Sequence, residues 1–215
     1  MFTVLLTIFI SSFVIALSGA MMPGPLLTVT ISESSRRGLI TGPLLIAGHA
    51  VLELALITSL LLGLAPFFTM PAVFIVTAVA GSLILLWMAF NMFRSLPALN
   101  LSWEEDKTQR NHPIISGILM SIANPYWIIW WATIGLSYIL YSWQFGIWGI
   151  VFFFAGHILA DLSWYSFISA AVAKGRHYFN NRIYRCLIAL CATFLVVFAC
   201  YFAYSGLEKL HEIIS

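Results

Sequence analysis

Six long apolar runs decide what this chain can fold into. They lie near residues 2–31, 41–64, 71–93, 113–140, 145–172 and 185–207. Each run is long enough as a helix to cross a hydrocarbon core of roughly 30 Å. With 61% hydrophobic and only 8% charged residues, the chain has too few charges to cover a water-soluble surface. We therefore predict an all-α integral membrane protein with six transmembrane helices.

The basic residues predict how these helices are oriented. Nine of the ten lie in or beside the connections between runs 1 and 2, 3 and 4, and 5 and 6, namely Arg36, Arg37, Arg94, Lys107, Arg110, Lys174, Arg176, Arg182 and Arg185. Connections rich in Lys and Arg stay on the cytoplasmic side of a membrane. We expect these three connections to be cytoplasmic and both termini to lie outside. The small net charge of +2 gives no sign of a nucleic-acid partner.

The two halves of the chain resemble each other. The sequence Gly48 to Leu54, GHAVLEL, recurs as GHILADL from Gly156 to Leu162, 108 residues later. Because each half has three spans, the second half must enter from the opposite side, which gives an inverted repeat. We predict a single membrane domain over residues 1–215, with repeat one at about 1–96, a cytoplasmic linker at about 97–112 and repeat two at about 113–215.

Prolines inside two of the runs predict broken helices. Pro23, Gly24 and Pro25 lie deep in the first run, and Asn124 and Pro125 lie in the fourth. Proline removes an amide donor, and irregular backbone inside a membrane survives only where it faces protein or a water-lined cavity. The half-helix ends at such a break suit the charged groups of a zwitterion. The alternatives are a simple proline kink in the first run and a helix start at the cytoplasmic face in the fourth.

Two ionisable pairs lie inside the apolar runs. His49 and Glu53, and likewise His157 and Asp161, stand four residues apart and so share one helix face. Burying a carboxylate in a bilayer is costly, so such residues indicate function. A carboxylate beside an imidazole can hold a proton whose release depends on hydration. The pairs could instead be structural clamps, or the four side chains could bind a first-row divalent metal ion.

Other residues argue against enzymatic or redox chemistry. The zinc-protease sequence His-Glu-x-x-His is absent, since Ala50 and Ile158 follow the two histidines. The spacing of Cys186, Cys191 and Cys200 is neither a CxxC nor a metal-binding spacing, so we interpret them as packing residues. We expect no cofactor. The tryptophans of runs four and five are interpreted mostly as membrane-interface anchors, namely Trp127, Trp130, Trp131, Trp143 and Trp148.

Several of these motifs together resemble a known family. Pro-Gly-Pro at 23–25, the glycines Gly38, Gly42 and Gly48, and Asn-Pro at 124–125 make the chain similar to the LysE/RhtB family of amino-acid exporters. The resemblance covers nearly the whole chain. It implies an inner-membrane efflux carrier driven by the proton motive force, with amino acids or related metabolites as substrates, and a homodimer as the working form.

Two positions depart from the family pattern. Many members have an aspartate directly after the second-helix glycine, where this chain has His49 and carries its carboxylate one turn later at Glu53. Many also read Asn-Pro-Lys, where this chain has Tyr126. Both changes touch the expected site. The wider superfamily also contains metal-ion exporters and thiol-redox carriers.

The combined prediction is a proton-coupled exporter of an amino acid or similar small metabolite, not an enzyme. Glu53 and Asp161 would carry protons. The substrate would bind among the remaining site residues, namely Pro23, Gly24, Pro25, His49, Asn124, Pro125 and His157. A divalent-metal exporter that uses the two His/carboxylate pairs is the first alternative. A membrane assembly protein that transports nothing is the second.

Overall fold

The computed structural model describes residues 1–68, 70–98, 112–175 and 181–214, and all regular secondary structure in these ranges is helical. The helices are α1 (Phe2–Ala20), α2 (Pro25–Arg37), α3 (Thr41–Ser59), α4 (Ala65–Phe68), α5 (Pro71–Ser95), α6 (Pro113–Ile122), α7 (Pro125–Trp130), α8 (Leu136–Trp143), α9 (Gly146–Lys174) and α10 (Asn181–Ile214). Short 3₁₀ segments follow α2 and α5, a kink at Gly63 follows α3, and a π-helical turn, Trp131–Gly135, follows α7.

The predicted class, an all-α protein of several membrane spans, is confirmed. Five helical stretches of the described chain are long and apolar enough to cross a membrane, one of them running from Pro25 to Leu64. A bent pair, Pro113–Ile122 with Tyr126–Trp143, gives a sixth if it counts as one span. The break predicted in the first run is present, since α1 ends at Ala20 and α2 begins at Pro25.

Helices from the two halves pack against each other through small residues. The main pairs are α1 with α9, α3 with α6, and α5 with α10, while α3 and α9 meet in the middle. A Cβ atom at Gly48 would overlap the carbonyl oxygen of Ile114, and one at Gly156 would overlap that of Phe9. Small residues of this kind let helix backbones approach closely in membranes.

These contacts are consistent with the predicted inverted repeat. Gly48 and Gly156 are equivalent in the repeated sequence, and each packs on the first helix of the other half. The residues that the two glycines approach also occupy comparable places, because Phe9 lies in the first helix of its half and Ile114, 105 residues later, lies in the first helix of the other half. The proposed linker lies largely in residues 99–111, outside the described residues, so the boundaries of the two repeats remain predictions.

Large apolar side chains cover the outside of the bundle. On α5 and α10, more than half of the surface of Val76, Leu83, Trp87, Val197 and Tyr204 is exposed. Polar residues such as Ser12, Thr30, Glu53 and Asp161 are buried instead. A surface of this kind fits a lipid solvent, and the buried polar groups are placed where the bundle can hold a site.

Candidate functional site

A cavity lies between the two helix breaks and the middles of α3 and α9. Both helix breaks, both histidines and both buried carboxylates contribute to its wall. The lining residues are Ala16, Gly19, Ala20, Met22, Gly24, Leu26, His49, Glu53, Ser121, Asn124, Tyr126, Trp127, Trp130, Trp131, His157, Asp161 and Tyr165. The cavity therefore gathers residues that are far apart in sequence.

The two breaks meet at this cavity. Gly24 has an extended backbone and precedes Pro25, which begins α2 with a φ suited to a first helical turn. Asn124 is also extended, as expected before proline, and its side chain accepts a hydrogen bond from the Tyr126 amide at 3.1 Å. A Cβ atom at Gly24 would lie 3.4 Å from the Asn124 side-chain nitrogen, so an added methyl group would just contact Asn124 and the two breaks lie close together.

The two polar pairs form one cluster across α3 and α9. His49 Nε2 lies 2.9 Å from Glu53 Oε1, within its own pair. His157 Nε2 lies 3.0 Å from Glu53 Oε2, in the other half of the chain, and 3.4 Å from Asp161 Oδ2. Glu53 is thus shared by the histidines of both halves, and the two pairs form one connected cluster.

Glu53 also receives two indole N–H groups from the fourth span. Trp127 Nε1 and Trp131 Nε1 donate to Glu53 Oε1 at 3.0 and 2.9 Å. The two tryptophans stand one turn apart, and a π-helical turn begins at Trp131, a feature that often marks functional sites. Glu53 is 1% exposed, and its charge is stabilised by hydrogen-bond donors and not by water.

The hydrogen bonds of Ser121 fix the ring orientation of His49. The Ser121 hydroxyl donates to the Gly117 carbonyl at 2.7 Å, so its oxygen accepts from His49 Nδ1 at 2.6 Å. When Nδ1 carries the proton of a neutral imidazole, Nε2 has a lone pair that points at Glu53 Oε1. This lone pair would repel those of an ionised Glu53 carboxylate. The His49–Glu53 pair therefore holds a proton between these two atoms.

Four buried polar atoms around the cavity have no hydrogen-bond partner among the described residues. They are Glu53 Oε2, which is nevertheless 3.0 Å from His157 Nε2, and Asp161 Oδ2, Trp130 Nε1 and His157 Nδ1. Asp161 Oδ2 lies within ion-pair distance of both histidines but outside hydrogen-bond geometry. An unpaired buried polar group costs free energy, so these atoms mark where a polar solute or water would bind.

The charge of the cavity is set by acids and imidazoles. Its described lining contains two carboxylates and two histidines, with no lysine or arginine. One ligand atom from each of His49, Glu53, His157 and Asp161 lies within 4.8 Å of the others. Imidazole and carboxylate are ligands that first-row divalent ions accept, so the donor set fits such an ion as well as protons.

Most of the predicted site residues converge here. Gly24, His49, Glu53, Asn124, His157 and Asp161 line the cavity. Pro23 lines a smaller cavity next to it, Pro25 is buried in the first turn of α2, and Pro125 begins α7.

Sequence reasoning missed four residues of the site. Trp127, Trp130 and Trp131 are not membrane-interface anchors: they line the cavity, and Trp131 is fully buried. Their i, i+3, i+4 spacing after Asn124–Pro125 was the available signal, because it places all three on one helix face. Ser121 gave no such signal. Trp143 and Trp148, by contrast, are more than half exposed, as an interface position requires.

Comparison with known proteins supplies the family. No curated protein and no solved structure matches the chain. The family model for the LysE type translocator matches residues 17–206, which include both helix breaks and both polar pairs. Members of this family are membrane transporters of amino acids or small metabolites. The resemblance seen in the sequence motifs is confirmed, and the chain belongs to the LysE type translocator family.

Proposed function

We propose that this translocator exports an amino acid or a related small metabolite in exchange for protons, and that the cavity around Glu53 is its binding site. The observation that carries the proposal is the pair of unpartnered buried atoms Asp161 Oδ2 and Trp130 Nε1. One is an acceptor and the other a donor, and both residues line the same cavity. A zwitterion presents the two complementary groups.

The substrate's ammonium group binds at Asp161. This carboxylate is 5% exposed, and Oδ2 accepts no hydrogen bond from the described residues, whereas Glu53 Oε1 already accepts two. An ammonium group carries three donors and can satisfy a buried carboxylate directly.

The substrate's carboxylate binds on the side of the helix breaks. Gly24 caps the N-terminus of the 13-residue helix α2 and lines the cavity. Free amides and the helix dipole at such an end favour an anion. The unpartnered N–H of Trp130 and the amide of Asn124 supply further donors.

The same carboxylates carry the coupled protons. Without a lysine or arginine in the described lining, the charge of Glu53 and Asp161 is balanced by protons on the cluster or by a cationic solute. A proton and an ammonium group therefore compete for the same oxygens. This competition is the elementary requirement for exchange transport.

We further propose that the protein lies in the plasma (inner) membrane with both termini outside, which the positions of the basic connections support. Export from the cytoplasm then means that the substrate enters the cavity from the side of these connections. We further propose that the carrier works as a homodimer, which rests on the family resemblance.

Transport in proteoliposomes under an imposed pH gradient tests the proposal. The parent is expected to drive uptake or release of labelled amino acids in response to the gradient. Glu53→Gln and Asp161→Asn keep side-chain volume but remove the titrating group, so gradient-driven flux should fall at least about tenfold, the effect of about 1.4 kcal/mol. Unchanged gradient-driven flux in both variants would rule out this coupling role.

A second candidate function is export of a divalent metal ion, because four suitable ligands lie within 4.8 Å of one another. Under this proposal, metal tolerance of cells and metal efflux from vesicles depend on His49 and His157, while amino-acid flux is absent. His49→Gln and His157→Gln, assayed for both cargoes in one preparation, separate the two candidates.

A further inference from the structure

The polar cluster contains two buried carboxylate oxygens that the described residues leave unsatisfied. Glu53 Oε2 and Asp161 Oδ2 have no hydrogen-bond partner among them. The other oxygen of Glu53, Oε1, accepts from Trp127 and Trp131, so Oε2 is the one left for a further group. Glu53 is 1% and Asp161 5% exposed, so bulk water does not solvate these oxygens. Two such oxygens in one buried cluster favour a cation between them.

Two imidazole nitrogens face the same oxygens at distances that suit a tetrahedral metal ion. His157 Nε2 lies 3.0 Å from Glu53 Oε2 and 3.4 Å from Asp161 Oδ2. His49 Nε2 lies 3.7 Å from Asp161 Oδ2. Ligand atoms bound tetrahedrally at about 2.0–2.1 Å from a zinc ion stand about 3.4 Å from one another. The measured distances lie on either side of this value, so the four side chains can close on one ion with small rotations.

Ser121 holds His49 in the orientation that a metal ligand needs. The Ser121 hydroxyl oxygen accepts from His49 Nδ1 at 2.6 Å, because the hydroxyl itself donates to the Gly117 carbonyl. A metal-binding histidine commonly donates its second N–H to such an oxygen, which directs the lone pair of the other nitrogen at the metal. The Nε2 lone pair of His49 is directed into the cluster in the same way. A metal ion can therefore bind there in place of the proton that the His49–Glu53 pair otherwise holds.

We propose that this cluster binds one Zn²⁺ ion, or another first-row divalent ion that accepts tetrahedral coordination, and that the bound ion inhibits transport. Its ligands are His49 Nε2, Glu53 Oε2, His157 Nε2 and Asp161 Oδ2. The inference rests on the proposed function, since it names an inhibitor of the same site. The ion is an inhibitor and not cargo, which distinguishes this proposal from metal export.

A bound ion blocks the site in two ways. It occupies Asp161 Oδ2, the oxygen proposed for the substrate's ammonium group. It also ties α3 of the first half to α9 of the second, whereas carriers built from inverted repeats work by moving one part of the repeat structure against the other. Four protein ligands leave no open coordination position, which is typical of sites that keep their zinc. The ion should therefore stay bound and hold the two halves together.

Titration of the purified, metal-free full chain with ZnCl₂ in a calorimeter tests the binding. One ion per chain is expected, and no binding of Mg²⁺ or Ca²⁺, which prefer shells of oxygen ligands. Loss of a residue that orients a ligand costs about 10–100-fold in metal affinity, so Ser121→Ala should weaken zinc binding about tenfold. His49→Gln and His157→Gln remove ligands and should weaken it at least about a hundredfold. His211→Gln, the same change at an exposed histidine of α10, is the matched control and should leave the affinity unchanged.

Two further measurements report the geometry and the rigidity of the occupied site. The Co²⁺-loaded parent should show the intense visible absorption of a tetrahedral ion, and the weak bands of an octahedral ion would contradict the four-ligand site. Zinc at a hundred times its dissociation constant should raise the thermal unfolding midpoint of the parent in detergent by at least about 5 °C. The same addition should leave the midpoint of His49→Gln unchanged.

Transport in proteoliposomes tests the inhibition. Saturating zinc should lower the flux of labelled amino acid through the parent at least about tenfold, and EDTA should restore it. Ser121→Ala should need about tenfold more zinc for the same inhibition. Labelled zinc should stay bound at one ion per chain and should not accumulate inside the vesicles.

The outcomes separate the inference from the proposed function. Absence of zinc binding, or binding that His49→Gln and His157→Gln leave unchanged, overturns the site. Zinc that binds without lowering amino-acid flux, or that accumulates inside the vesicles, overturns the inhibition, and accumulation supports metal export instead. If the zinc-free parent moves no amino acid, the proposed function fails, and the binding and unfolding measurements still decide the zinc site.

Discussion

The two halves of the chain contribute pairs with the same spacing, yet the structure treats the two carboxylates differently. Glu53 is bonded or ion-paired to His49, His157, Trp127 and Trp131. Asp161 Oδ2 has no hydrogen-bond partner among the described residues. A repeated motif therefore supplies one fixed acid and one open acid. We propose that the fixed acid organises the site through Glu53 Oε1 and that the open acid is available to a solute.

The same difference extends to the histidines. His49 Nδ1 is bonded to Ser121, whereas His157 Nδ1 is buried without a partner. Ala16 lines the cavity 105 residues before Ser121, the same separation as between Phe9 and Ile114. Under the inverted repeat, Ala16 is therefore the counterpart of Ser121. An alanine at this position has no hydroxyl group that could accept a hydrogen bond from His157 Nδ1.

The largest difference in transport is expected when the side-chain lengths of the two acids are changed, in Glu53→Asp and Asp161→Glu. Glu53→Asp keeps the charge but withdraws the carboxylate by one methylene from His157, Trp127 and Trp131. Each lost bond to a charged group is worth about 1.5–3 kcal/mol, so transport should fall at least about tenfold. Asp161→Glu has no such network to lose and should stay within about threefold in the same proteoliposome assay. Equal effects of both exchanges would contradict the division into fixed and open acid.

A smaller effect, on stability, is expected when an indole N–H that donates to Glu53 is removed. Trp131→Phe removes a donor to Glu53 and should destabilise the protein by about 2 kcal/mol more than Trp130→Phe, which removes an N–H without a partner. Thermal unfolding in detergent measures the difference, and the two variants lose the same volume. Trp130→Phe should instead reduce substrate affinity. Matching stability losses would show that the Glu53 bond contributes nothing.

The smallest expected effect comes from moving one hydroxyl between the halves. Ser121→Ala removes the partner of His49 Nδ1 and should cost about 1 kcal/mol of unfolding free energy. Ala16→Ser offers His157 the partner that His49 has, and the double variant should recover part of the loss. Urea or thermal unfolding of the three variants is the measurement. A larger loss from Ala16→Ser than from Ser121→Ala would argue against the equivalence of the two positions.

The sequence predicted the helices and the polar pairs because both depend on local spacing. Run lengths located the spans, and prolines located the breaks at 21–24 and 123–124. The i, i+4 spacing placed each histidine with its own carboxylate, as His49 and Glu53 confirm.

The meeting of helix faces could not be predicted. Helical periodicity shows which residues share a face but not which faces meet. The contact of His157 with Glu53, in the other half, therefore came only from the packing of α9 on α3. For the same reason, Trp127 and Trp131 were interpreted from the sequence as membrane-interface anchors, although their indole N–H groups donate to Glu53.

The close approach of Gly24 and Asn124 brings the two helix breaks together at the cavity. Each break leaves backbone amides and carbonyls without their usual helical partners, inside spans that lipid surrounds. We expect each break to shield the other from that lipid. Restoring a continuous helix at one break would uncover the backbone of the other, so changes at the two proline motifs should be non-additive. Anyone redesigning this carrier should treat residues 23–25 and 124–125 as one unit and alter them together.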